Sequence, residues 1–67
     1  MSALTLTSDP WGFVSIDGRP TGRRTPLVEY EVSPGKHQIC VTADDGEVLC
    51  GDHTLNAGEN FITDFAF

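Results

Sequence analysis

Basic residues are scarce in this chain, and long apolar runs are missing from it altogether. Four Lys and Arg stand against ten Asp and Glu, for a net charge of −6 over 67 residues. That balance disfavours nucleic acid and anionic lipid as partners, because both are bound by neutralising phosphates with Lys and Arg. No stretch approaches the roughly 18 apolar residues of a membrane span, and Met1 to Thr7 lacks the basic start and apolar stretch of a signal peptide. Direct membrane insertion is therefore not expected, and any export signal would lie in a longer parent. Convincing helical periodicity, internal repeats and low-complexity tracts are also missing. So is a catalytic set: Ser8, Ser15 and Ser33 have no base at a supporting spacing, so no enzyme is expected. Nothing in the pattern asks for a cofactor.

What the chain does have is short alternating segments separated by turn residues. Leu4 and Leu6 alternate with Thr5 and Thr7 until Asp9-Pro10, and Val14 and Ile16 alternate with Phe13 and Ser15 until Asp17-Gly18, a dipeptide suited to a tight turn. Arg19 to Pro26 is polar and broken by Pro20, Gly22 and Pro26, so it reads as a loop. Leu27 to Val32 supplies a short strand before Ser33-Pro34-Gly35. His37, Ile39, Val41 and Ala43 then share one face and Gln38, Cys40 and Thr42 the other, as far as a three-residue loop at Asp44-Asp45-Gly46. Val48 to Leu55 returns antiparallel. After Asn56-Ala57-Gly58, a last strand from Phe61 to Phe67 sets Phe61, Thr63, Phe65 and Phe67 against Ile62, Asp64 and Ala66.

About six short strands at this turn spacing predict an all-β fold without helix, a small antiparallel β-sandwich. Two layers are needed because a single sheet leaves its apolar face in water. The expected core is Leu4, Leu6, Val14, Ile16, Ile39, Val41, Leu49, Leu55, Phe61 and Phe65. The length allows one domain of marginal stability.

The order of the turns resembles the PEGA domain family across nearly the whole chain. Ser8-Asp9-Pro10-Trp11-Gly12, Val14-Ser15-Ile16-Asp17-Gly18, Gly22 and Thr25-Pro26-Leu27 carry the first half of the likeness. Pro34-Gly35-Lys36-His37 and Ala57-Gly58-Glu59-Asn60 carry the second. Two departures stand out: Gly12 where the family usually has alanine, and Arg23-Arg24 where one residue is commoner, which predicts a different bulge. The resemblance implies an accessory β-sandwich, often attached to bacterial Ser/Thr kinases beyond a membrane span or to cell-envelope proteins. Residues 1–67 then form a single domain, expected to be the C-terminal part of a longer parent that ends near Phe67.

Cys40 and Cys50 are the sharpest local feature. If Ala43 faces Glu47 across the three-residue loop, Cys40 lies opposite Cys50 at a non-hydrogen-bonded pair, where α-carbons approach to about 4.5 Å and a disulfide fits; two reduced thiols are the alternative. The same register sets His37 opposite His53, but on the other face, so the four side chains do not converge on a zinc ion and no metal site is expected. Asp44, Asp45 and Glu47 lack the alternating carboxylates of a calcium loop. Thr25 before Pro26 is better explained as a turn than as a phosphorylation site.

Arg19, Arg23 and Arg24 fall in one stretch, and Trp11 and Phe13 point to the side opposite Val14 and Ile16. This set suits a ligand-binding patch for a protein or a cell-wall glycan, with rings stacking on sugars and arginines meeting carboxylate or phosphate. The plainer reading of the two rings, and the one preferred on the sequence alone, is an aromatic lid over one end of the core. The functional expectation is an extracytoplasmic (periplasmic or cell-surface) interaction module. The competing reading is a structural spacer, or a self-association unit pairing through an exposed edge strand such as the one ending at Phe67.

Overall fold

The computed structural model describes every residue from Met1 to Phe67. Its strands are β1 (Ser2–Asp9), β2 (Gly12–Ile16), β3 (Arg19–Arg24), β4 (Leu27–Val32), β5 (Gly35–Ala43), β6 (Val48–Leu55) and β7 (Asn60–Ala66). They form two sheets, ordered β4-β1-β7 and β3-β2-β5-β6. The sheets pack over a shared core, with Leu4, Leu6, Leu27, Val32 and Phe65 from the first and Val14, Ile39, Val41 and Leu55 from the second. The fold is the all-β sandwich without helix that alternation predicts, with seven strands rather than about six.

Two details differ from a purely antiparallel arrangement of six. Each connection reverses the chain, so the odd-numbered β1 and β7, placed side by side, run parallel from Ala3↔Asn60 to Asp9↔Ala66. The additional strand is β3, which occupies most of the segment read as a loop. Asp17 (φ 53°) and Gly18 (φ 79°) both take the left-handed conformation of a two-residue hairpin turn, and Ile16 pairs with Arg19 across it. β3 escapes the pattern because it is an edge strand with no buried residue, so its sequence carries no apolar alternation. Opposite Val14 the ladder shifts register, and the Thr21 hydroxyl donates to the Val14 carbonyl at 2.8 Å.

The core also differs at its margins. Leu27 and Val32 are both buried although their spacing is odd, which strict alternation forbids. The ladder between β1 and β4 slips between Leu4↔Tyr30 and Leu6↔Leu27, and Glu29 turns to φ 49°, so both ends of β4 face inward. Ala43 is buried as well. Ile16, Leu49 and Phe61, expected in the core, are only partly buried against it, since Ile16 ends a strand and the others lie on edge strands. Leu4, Leu6, Val14, Ile39, Val41 and Leu55 are fully enclosed. Burial of each contributes about 1.5–3 kcal/mol.

The β5–β6 hairpin follows its expected register. The Ala43 N–H donates to the Glu47 carbonyl at 2.7 Å, Gly46 closes the loop at φ 91°, and Cys40 pairs with Cys50. The two sulfurs are bonded, with α-carbons 4.1 Å apart.

Candidate docking surface

The outward side of the four-stranded sheet can be laid out row by row from its register. One row runs Arg24, Phe13, Thr42, Val48; the next runs Pro20, Ser15 and the bonded Cys40 and Cys50. Arg24 is the only charged residue in these two rows. Trp11, just ahead of β2, sets its ring edge-on to Phe13 at 5.7 Å between centroids and 80° between planes. The Arg24 guanidinium lies 5.2 Å from the centre of the Trp11 ring, within reach of the attraction between a cation and an aromatic face. Trp11 is 40% exposed, Phe13 53% and Val48 54%, so all three side chains present surface to solvent on this face.

A polar knot holds this corner in place. Thr25 is buried, and its hydroxyl accepts the Gly12 N–H at 3.1 Å and bonds the Ser8 hydroxyl at 2.6 Å. The Thr25 N–H donates to the Gly12 carbonyl at 2.8 Å, so Gly12 and Thr25 fasten the start of β2 to the end of β3. Gly12 must be glycine here: a β-carbon would come within 2.6 Å of both the Thr42 carbonyl oxygen and Val41 Cγ1. Burial also removes Thr25 as a phosphate acceptor.

The three arginines do not converge. Arg24 joins the aromatic pair, whereas Arg19 sits at the opposite end of β3 beside the Asp17-Gly18 turn, and Arg23 projects from the bulge. Arg19 instead borders an open groove of about 620 Å³ between the β2–β3 hairpin and β4, shared with Thr21, Tyr30, Glu31, Ser33 and His37.

At one wall of that groove the Asp17 carboxylate accepts from His37 Nδ1 at 2.5 Å, and it also accepts the Gln38 N–H at 2.9 Å. His37 Nε2 lies 2.7 Å from the Ser33 carbonyl and 3.4 Å from the Ser33 hydroxyl. A carbonyl only accepts, so the short contact has Nε2 donating; a carboxylate at Nδ1 favours a proton there too, so both neighbours stabilise the charged ring. The Asp17 hydrogen bond, followed by the Ser33 carbonyl, raises the His37 pKa above its ordinary 6.5. The His37 hydrogen bond, followed by the Gln38 N–H, lowers Asp17 below its ordinary 3.8. This grouping ties the β2–β3 turn to the start of β5, with Asp17 on one side of the ring and Ser33 on the other.

The remaining titratable candidates are committed elsewhere. His53, across the ladder from His37, stacks on Phe61 and Phe65 at 5.1 and 6.0 Å. The cysteine sulfurs are bonded to each other and offer no thiolate. Asp45 accepts the Glu47 N–H at 3.0 Å within its own turn. Of the residues expected in a ligand-binding patch the structure brings Trp11, Phe13 and Arg24 together, with Thr42 and Val48 in the same row, where strand parity puts them although sequence reasoning did not name them. It also missed the bond between Asp17 and His37, for which no local signal exists.

The family model described as the PEGA domain matches residues 1–66, essentially the entire chain. No curated protein and no solved structure matches it.

Proposed function

Because this chain belongs to the PEGA domain family, we propose that it is a non-catalytic interaction module working outside the cytoplasm, docking on a protein or cell-envelope polymer through Trp11, Phe13 and Arg24. The observation that carries this reading is the exposed aromatic pair under a single guanidinium, on a face otherwise free of charge in its two central rows. Flat rings next to a cation suit sugar rings bearing carboxylates, or an acidic protein surface. The Cys40–Cys50 bond supports an oxidising compartment. In a bacterial Ser/Thr kinase parent the module would serve as the sensor or docking domain.

Titration of isotope-labelled protein with peptidoglycan fragments tests this. Shifts are expected at the Trp11 indole N–H, Phe13 and Arg24, and are lost in Trp11→Ala and Arg24→Ala. Absence of any shift at these residues, with peptidoglycan fragments and with envelope protein extracts alike, sinks the proposal.

A further inference from the structure

Backbone groups that point out of the sheet line the β6 edge of this molecule. The Ala43–Glu47 pair is joined by a backbone hydrogen bond, so alternate pairs down the ladder, Val41–Leu49, Ile39–Gly51 and His37–His53, are hydrogen-bonded too. On β6 the N–H and C=O of Val48, Cys50, Asp52 and Thr54 consequently face away from β5, and no strand lies beyond them. Such an edge is a template for another strand unless it is blunted by proline, bulges or charge. β3 is blunted by Pro20, a register shift and three arginines, and β4 by its slip at Glu29 and the charges of Glu29 and Glu31. β6 has neither proline nor bulge: its ladder with β5 runs from Val48 to Leu55 without a shift, and its charge is limited to one carboxylate, Asp52. The disulfide pins it to β5, so little freedom is lost when a strand adds to it.

We propose that β6 pairs antiparallel with β6 of a second copy of this chain, about a two-fold axis through Gly51. In that register all the outward groups pair, Val48 with Thr54 and Cys50 with Asp52 of the second copy, for on the order of eight backbone hydrogen bonds. The two Gly51 residues meet at the axis as a non-hydrogen-bonded pair, where backbones come closest and glycine presents no side chain. A register centred on Asp52 sets two carboxylates face to face on a protein of net charge −6. One centred on Cys50 runs Thr54 against the Gly46 turn. The Gly51 register avoids both.

The pairing goes beyond the docking role and gives it a second consequence. The joined sheet has the order β3-β2-β5-β6-β6-β5-β2-β3, with both aromatic surfaces on the same side. The two β2 strands lie five strand spacings apart, about 24 Å. A polymer with repeated binding units would then be held at two points, with an avidity that neither site has alone.

Sedimentation and amide exchange on the oxidised protein, from micromolar to millimolar concentration, test the proposal. A concentration-dependent dimer is expected, with protection of the Val48, Cys50, Asp52 and Thr54 amides growing in step. Asp52→Pro removes a central outward donor while leaving the ladder to β5 intact, and should weaken the dimer at least tenfold with Leu49, Gly51 and His53 still protected. Thr54→Pro, at the end of the strand, serves the same purpose if Asp52→Pro does not fold. A strict monomer at millimolar concentration overturns the proposal. So does a dimer whose new protection falls instead on Asn60, Ile62, Asp64 and Ala66 of β7. Ligand titration in the monomeric range reads the docking surface independently.

Discussion

Along β3 and β4 the open side of the sandwich is interrupted by Pro20, the bulge opposite Val14 and the turned backbone at Glu29, whereas along β6 and β7 it runs straight. The first side holds itself together with side chains: the Thr25 knot and the tie between Asp17 and His37. The second relies on a covalent bond on β6 and on His53 stacked over Phe61 and Phe65 of β7. In so small a domain the difference is one of division: the irregular side is spoiled as a pairing template, while the regular side is stiff and remains open. The surface with Trp11 and Arg24 belongs to the irregular side, where broken backbone regularity re-aims side chains.

The largest effect should come from breaking the regular side. Closing a loop with a sequence separation of 10 contributes about 2–3 kcal/mol. Cys40→Ala with Cys50→Ala is expected to lose that amount in urea unfolding, and amides of β6 should exchange faster while those between β2 and β3 change little. Equal loosening on both sides would mean that the two are not separately held. The irregular side is probed by Thr25→Val, which leaves the Gly12 N–H without a side-chain acceptor. A loss of about 1–3 kcal/mol is expected, with broadened resonances at Trp11 and Phe13 and an undisturbed disulfide hairpin.

The same division decides how much was legible in the sequence. The β5–β6 hairpin could be read to the residue, because the length of the Asp44-Asp45-Gly46 loop fixes register and register fixes the partner of Cys40. β3 could not, since a strand with no buried residue has no reason to alternate; only Asp17-Gly18 announced its return. The inward turn of both Leu27 and Val32 was hidden because a bulge breaks the period on which such reading rests. The aromatic pair was legible from parity along β2. That Arg24 alone joins it, and Arg19 does not, follows from β3 being extended.

A smaller effect comes from the tie between Asp17 and His37. The His37 pKa is raised, so its contribution to stability is fully present below its ordinary 6.5 and is lost as pH rises through the raised value. That of Asp17 is lowered, so its contribution is present above 3.8 and is lost as pH falls through the lowered value. The tie is therefore strongest between these limits, at mildly acidic pH. The melting temperature should decline from pH 6 towards pH 9, and His37→Gln should flatten that decline. An unchanged decline in His37→Gln would place the titrating group elsewhere, removing the tie from the account of the irregular side.

The smallest effect on stability is expected at Arg24, and its smallness is informative. The guanidinium lies over a ring that is 40% exposed, where a cation and an aromatic face attract by about 0.5–1 kcal/mol. Arg24→Ala should therefore shift the unfolding midpoint only slightly while changing the Trp11 fluorescence, since the ring loses its charged neighbour. If Trp11 and Phe13 served as a cover for the core, releasing Arg24 would expose apolar residues such as Val14 and Val41, and the loss would reach several kcal/mol. A slight shift keeps the aromatic surface in reserve for a ligand and leaves stability to the core, the disulfide and the Thr25 knot; a large one would transfer that surface from recognition to folding.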